Sequence, residues 1–203
     1  MPNTYFRVSL VGSLAVGKST IIDGLKKIMD NCIFVVEDPS KNIFLEDFYA
    51  DMSKWGFHSQ ISSLAMITEN YLSCDKGKII IYDRCVDEMI TFAMMQFEHG
   101  NMSEKEFKVY KSLYNSILSM IPSVDLFIYC KCSADISLER IKLRNRIYEQ
   151  NLDVDYLREI NAYYEKWINT VERDRVETID TSAGIDIQVI YDKILYRTGK
   201  FKV

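Results

Sequence analysis

Residues 12–20 read Gly-Ser-Leu-Ala-Val-Gly-Lys-Ser-Thr and fit the spacing G-x-x-x-x-G-K-[ST]. That spacing carries meaning only between a strand and a helix. Both flanks comply. Tyr5-Phe6-Arg7-Val8-Ser9-Leu10-Val11 reads as a short apolar strand, and residues 19–29 carry helical spacing at Ile21, Ile22, Leu25 and Ile28. A strand, a glycine turn and a helix in that order aim free backbone N–H groups and the positive end of a helix dipole at an anion. The expected ligand is a nucleotide polyphosphate. Gly12, Ser13, Ala15, Val16, Gly17 and Thr20 supply the cradle, Lys18 reaches the β- and γ-phosphates, and the Ser19 hydroxyl holds Mg²⁺.

The rest of the chain repeats the alternation. Apolar runs at 32–36, 78–82, 125–130 and 176–180 predict four more strands. Helices are predicted between and after them, over about 42–52, 57–75, 87–97, 103–120, 135–144, 154–171 and 185–196. Ser103 with Glu106 three residues on predicts a capping box, and Pro122 a stop. Strands that are apolar on both faces belong to a parallel sheet covered on both sides. The predicted fold is therefore α/β, three layers, with a five-stranded parallel sheet flanked by helices. No repeat or linker-like stretch interrupts residues 1–203, which predicts one domain.

Composition narrows the partners. With 25 Lys+Arg against 29 Asp+Glu the net charge is −4, and a general binder of nucleic-acid backbones needs the opposite surplus. Five cysteines without a C-x-x-C pair, and only two histidines, argue against zinc and for reduced thiols in the core of a cytosolic protein. Cys130 and Cys132 alternate on one strand and share a face. No N-terminal apolar segment or membrane-length run is present, so the expected setting is soluble and cytoplasmic, away from any membrane.

Ligands of open parallel sheets bind beyond the carboxyl ends of the strands. Glu37-Asp38, Asp83-Arg84 and Asp180 fall there. A strand-end acid such as Glu37 can take a hydroxyl proton, and one beside the phosphate loop, Asp83, can serve Mg²⁺. Arg140 and Arg144 lie four apart on one helical face and Arg146 follows, a cluster suited to charge developing on a transferring phosphoryl group. Asp180 is counted with these arginines among the nucleotide contacts. Trp55, Phe57, Phe92 and Met94-Met95 are candidates to surround a base. These parts describe a kinase for a small hydroxyl-bearing acceptor. Residues 37–83 contain no arginine, which favours an uncharged acceptor over a nucleoside monophosphate; a guanine-reading Asn-Lys-x-Asp is absent, which disfavours a nucleotide switch.

The chain resembles the deoxyribonucleoside kinases over nearly its whole length. The stretches that carry the likeness are the phosphate loop, Val36-Glu37-Asp38-Pro39, Phe48-Tyr49-Ala50-Asp51 with Lys54-Trp55 and Gln60, Tyr82-Asp83-Arg84-Cys85, and Glu139 through Gln150 followed by Asp155-Tyr156-Leu157. The Glu98–Ser103 turn and Asp87-Glu88 resemble the bacterial deoxyadenosine/deoxyguanosine branch. The resemblance implies that Glu37 takes the proton of the nucleoside 5′-hydroxyl while Arg84 steadies that hydroxyl. It implies Gln60 on the base edge, Phe92 and one of Asp87, Glu88 or Met89 about the base, and Tyr49 with Glu149 on the 3′-hydroxyl. It further implies an arginine-rich lid over about 144–153, ATP as donor, deoxyadenosine as first substrate with deoxycytidine or deoxyguanosine as secondary ones, and a homodimer formed by helices near 57–75 and 86–98. Cys85 departs from the family's usual Ser, and the chain is one residue shorter between Arg84 and Phe92.

Overall fold

The computed structural model describes residues 5–30, 32–73 and 79–200. Its five strands, β1 (Phe6–Val11), β2 (Cys32–Val35), β3 (Ile79–Asp83), β4 (Leu126–Lys131) and β5 (Val176–Asp180), all pair in parallel, in the order β2-β3-β1-β4-β5. Period-two alternation sorts each central strand between two cores. Val8, Leu10, Ile81, Ile128 and Cys130 face one side, where Ile21, Ile22 and Leu25 of α1 (Lys18–Leu25) and Ile190 and Ile194 pack on them. Val11, Ile80, Tyr82, Phe127 and Tyr129 face the other, against Met95, Ile160 and Tyr164. Both faces are dry, which is why the strands read as unbroken apolar runs.

The remaining helices are α2 (Leu45–Ala50), α3 (Met52–Leu72), α4 (Met89–Glu98), α5 (Glu104–Met120), α6 (Ala134–Arg144), α7 (Val154–Ile168) and α8 (Ile187–Lys200). α5 opens on the expected capping box, with Ser103 and Glu106 bonded reciprocally. α3 begins five residues earlier than its hydrophobic spacing predicts. Asp51 breaks the backbone at φ −151° and its carboxylate accepts the Lys54 N–H at 3.1 Å, so 53–56 is the first turn of α3 and not a linker. Gly56 misleads for a packing reason: a Cβ there would stand 2.3 Å from the Asn101 carbonyl oxygen. The predicted ends of the third helix at 75 and of the third strand at 78 lie outside the described residues, as does Cys74.

The topology positions the site. β1 is central, and the register sets Leu10 beside Asp83 and Val35 beside Tyr82. The phosphate loop, Glu37 and Asp83-Arg84 therefore leave the sheet at one edge, where the strand order switches direction.

Candidate active site

The loop between β1 and α1 is built by close approach. Gly12 has φ 137°, and a Cβ on it would lie 2.3 Å from the Cys130 carbonyl oxygen. Gly17, at φ 97°, opens α1 with no side-chain cap, leaving its first N–H groups for a ligand. Lys18 folds back over the loop and donates to the carbonyls of Gly12 (2.7 Å) and Ser13 (2.8 Å). Burial, reinforced by the nearby Arg84 charge, lowers its pKa to about 8.

Opposite the loop stands Arg84, whose backbone takes the left-handed φ of 70° and whose N–H donates to the Leu10 carbonyl at 3.1 Å. Its guanidinium is spent on four acceptors. Nε donates to Glu37 Oε2 at 2.9 Å, and Nη1 to the Tyr164 hydroxyl (2.8 Å), Glu88 Oε2 (3.2 Å) and the Gly12 carbonyl (3.3 Å). Burial opposes its charge, yet Tyr164, Glu37 and Glu88 together raise its pKa well above the ordinary value. The Phe92 ring lies under the same cation, 5.6 Å away. The other Glu37 oxygen has no partner among the described residues.

These groups line one cavity of about 660 Å³, bounded by the loop, by Glu37, Asp83 and Arg84, by Tyr49, Gln60 and Phe92, and by Arg140, Arg144, Arg146 and Glu149. Tyr49 stacks on Tyr148 with centroids 5.6 Å apart. Arg144 donates to Glu149 at 2.6–2.7 Å, and Arg146 stands 3.6 Å from its other oxygen. Arg140 is held differently, donating to the Thr181 carbonyl (2.6 Å) and hydroxyl (3.2 Å) and reaching the Ala15 carbonyl at 3.4 Å. It is a strut under the loop. The segment expected to be irregular contains one turn of 3₁₀ helix, Ile147–Glu149, between the left-handed Asn145 and the capping Asp153.

A family model described as deoxynucleoside kinase matches residues 8–199. The chain belongs to the deoxynucleoside kinase family. It is 32% identical over 160 residues to a deoxyadenosine kinase of Dictyostelium discoideum, covering 78% of this chain and 65% of that protein. To a deoxyadenosine/deoxycytidine kinase of Bacillus subtilis it is 31% identical over 166 residues, 80% of this chain and 76% of the relative. The solved deoxyadenosine kinase of M. mycoides with dCMP and a flexible dCDP bound superposes with a TM-score of 0.81 at 25% identity, over 97% of this chain and all of that one.

Within this member of the family, several expected site residues are placed elsewhere. Asp87 and Glu88 do not line the cavity. The Asp87 carbonyl accepts the Tyr114 hydroxyl at 2.7 Å, in the layer of α4 and α5. Glu88 is fully buried behind Arg84, where its Oε2 accepts the Tyr164 hydroxyl (2.6 Å) and the Gly12 N–H (3.2 Å) besides Arg84. Met89 takes the place on the wall, because α4 starts there and not at 87. Asp180 is exposed and accepts the Ser182 N–H at 2.8 Å, outside the cavity. Gly12 and Ser13 shape the loop from behind; the Ser13 hydroxyl is bonded to Asn161. Asp38 turns to Ser40 and caps a short turn. Of the aromatic candidates only Phe92 reaches the cavity; Trp55 stacks on Phe44, and Met95 is core.

Tyr164, Asn161 and Thr181 were not singled out, although each holds a piece of the site. Their signal is faint. Tyr164 is one of several aromatics on α7, and Thr181 follows a strand end.

The residues also fit a divalent cation that arrives with a nucleotide. Asp83 lies at the cavity wall with Oδ1 buried and unbonded among the described residues, and Ser19 stands on the same cavity. No group of three or more His, Cys, Asp or Glu is arranged for a metal among the described residues. Mg²⁺ on phosphates needs only one or two protein oxygens.

Proposed function

We propose that the chain transfers the γ-phosphoryl group of ATP to the 5′-hydroxyl of a deoxyribonucleoside, with deoxyadenosine its first substrate. One observation carries this: an acid with a free oxygen, Glu37, is clamped by Arg84 at 2.9 Å and faces the phosphate loop across a single cavity. The free Glu37 oxygen takes the proton of the 5′-hydroxyl. Arg84 keeps that acid in place and supplies fixed positive charge where the phosphoryl group arrives. Lys18 and the open N-terminus of α1 receive the donor phosphates, and Arg144 and Arg146 approach them from the lid. Ser19 and Asp83 would hold a Mg²⁺ ion brought with the nucleotide, whose positive charge would stabilise the donor phosphates. Glu149 and the Tyr49 hydroxyl hold the 3′-hydroxyl; the Tyr49–Tyr148 stack beside them leaves little room for a ribose 2′-hydroxyl.

The Gln60 amide, buried and without a hydrogen bond among the described residues, offers a donor and an acceptor to the base edge. Its relatives' names support adenine. A homodimer through the α3 side and a cytoplasmic setting complete the reading. The apolar groove of Ile61, Ala65, Leu72, Leu113 and Ile117, and the free thiols at 32, 85, 130 and 132, support these two points. No helix among the described residues is long and apolar enough to cross a membrane. The test is ATP consumption with each of the four deoxynucleosides, with their monophosphates, and with neither. Turnover confined to the monophosphates, or independent of acceptor, refutes the proposal.

A further inference from the structure

Away from the phosphate loop, the cavity's polar groups on α3 are Gln60 and the hydroxyls of Ser59 and Ser63, which share one helical face. The acids that line the cavity, Glu37, Asp83 and Glu149, belong to the strand edge and the lid. The direction of the hydrogen bonds behind the two serines is fixed by Asn42. Its amide oxygen accepts the Phe44 N–H at 3.1 Å, so its NH₂ must face α3. There it donates to Ser63 Oγ at 2.9 Å, Ser59 Oγ at 3.1 Å and the Ser59 carbonyl at 3.2 Å. Each hydroxyl is thus used as an acceptor from behind, and neither has an acceptor for its own proton among the described residues. Asn42 is itself buried, so this polarity is built into the wall.

Two unspent O–H donors beside a reversible amide suit a base that presents a carbonyl oxygen. We infer that Ser63 and Ser59, polarised by Asn42, read such an oxygen. The site then accepts deoxynucleosides whose base carries an oxo group where adenine or cytosine carries its amino group, alongside those of adenine and cytosine. The inference rests on the kinase reading above. An amino group in the same place can use only the second lone pair of a serine and leaves that hydroxyl's own proton without an acceptor; a carbonyl is bonded by both Gln60 and a serine.

The test uses two matched pairs that exchange oxo for amino, deoxyinosine with deoxyadenosine and deoxyuridine with deoxycytidine. Wild type is expected to turn over at least one oxo member with a kcat/KM within about tenfold of its amino partner, the scale of one neutral hydrogen bond. S63A should lower the oxo-to-amino ratio about five- to tenfold. N42D keeps an oxygen for the Phe44 N–H but makes the serines donate backwards, so it should also shift the ratio towards the amino member. An unchanged ratio in both variants overturns the inference, as does a wild type that rejects every oxo base. If wild type phosphorylates none of the four, the kinase reading itself falls. If S63A is inactive on all four, the N42D ratio decides.

Discussion

Replacing Glu88 by Gln tests whether the acceptor-side arginine is positioned from behind. Three donors converge on Glu88 Oε2, from Tyr164 (2.6 Å), Gly12 (3.2 Å) and Arg84 (3.2 Å), while Oε1 has none. Gln can present its carbonyl to all three, but as neutral bonds, each weaker than its charge-assisted counterpart by about 1 kcal/mol. The resulting loss of roughly 3 kcal/mol is offset by removing a buried charge, whose desolvation costs several kcal/mol. Net stability should therefore move by no more than about 2 kcal/mol. The hold on Arg84 weakens by one of these three bonds, about 1 kcal/mol, and full transmission of that loss to the barrier lowers kcat roughly fivefold. KM for the nucleoside should hardly change, because Glu88 does not line the cavity. The stability has a sign as well. Burial raises the Glu88 carboxyl above its ordinary 4.5, so its contribution is complete below that pH and is lost as pH rises through the folded value. Melting temperatures should thus shift in favour of E88Q as pH rises above about 4.5. A kcat within twofold of wild type, in a variant that melts normally, refutes the positioning argument.

Other outcomes follow from the same geometry. E37Q should retain nucleoside binding and lose roughly two to four orders of magnitude in turnover; near-normal turnover rejects Glu37 as the base. R144A and R146A should lower turnover more than they weaken nucleoside binding, measured by steady-state kinetics beside direct titration. Equal losses would make these arginines an ordinary solvated face. Lys18, with a pKa near 8, is partly neutral above that pH, and a bound polyphosphate restores its charge. ATP binding above pH 8 should therefore take up protons, read by calorimetry in buffers of different ionisation enthalpy; proton release contradicts this. The same lowered pKa makes stability rise with pH between about 8 and 10.5, because the unfolded chain binds more protons there.

What the sequence makes legible depends on whether a residue acts through a local pattern. The phosphate loop is a local device, and its strand and helix are visible on either side. The buried strands are legible because a doubly covered sheet demands apolar residues at both phases, as Ile80-Ile81-Tyr82 provides. The strand β5 falls at 176–180 as its spacing predicts. The place of Glu88 was not legible because α4 starts at Met89, which leaves the acid buried behind Arg84 and not on the cavity wall. Asn42 was hidden in a predicted helix, where nothing local distinguishes a solvated amide from one buried against two serines. Those roles arise from contacts 17 and 76 residues apart, which no periodicity reports.

The arginines that share the cavity are held in two ways, and this difference assigns the moving part. Arg140 and Arg84 are tied to main-chain carbonyls: those of Thr181 and Ala15 for Arg140, and that of Gly12 for Arg84. Such acceptors belong to the sheet edge and the loop, so the two guanidiniums move only if the fold moves. Arg84 also sits at a left-handed φ of 70°, which costs on the order of 1 kcal/mol or more and persists because its four side-chain bonds over-determine it. Arg144 and Arg146 instead pair with a carboxylate, Glu149, on a segment of their own, with side chains 30% and 40% exposed. Their heads are partly hydrated, but the Glu149 side chain is only 3% exposed, so its carboxylate needs another partner wherever one of them leaves. A donor phosphate carries more charge than Glu149 and can draw both arginines away from it. On the proposed function, a sugar hydroxyl would have to satisfy the buried Glu149 carboxylate once the arginines turn to a donor phosphate, which would couple donor binding to acceptor grip.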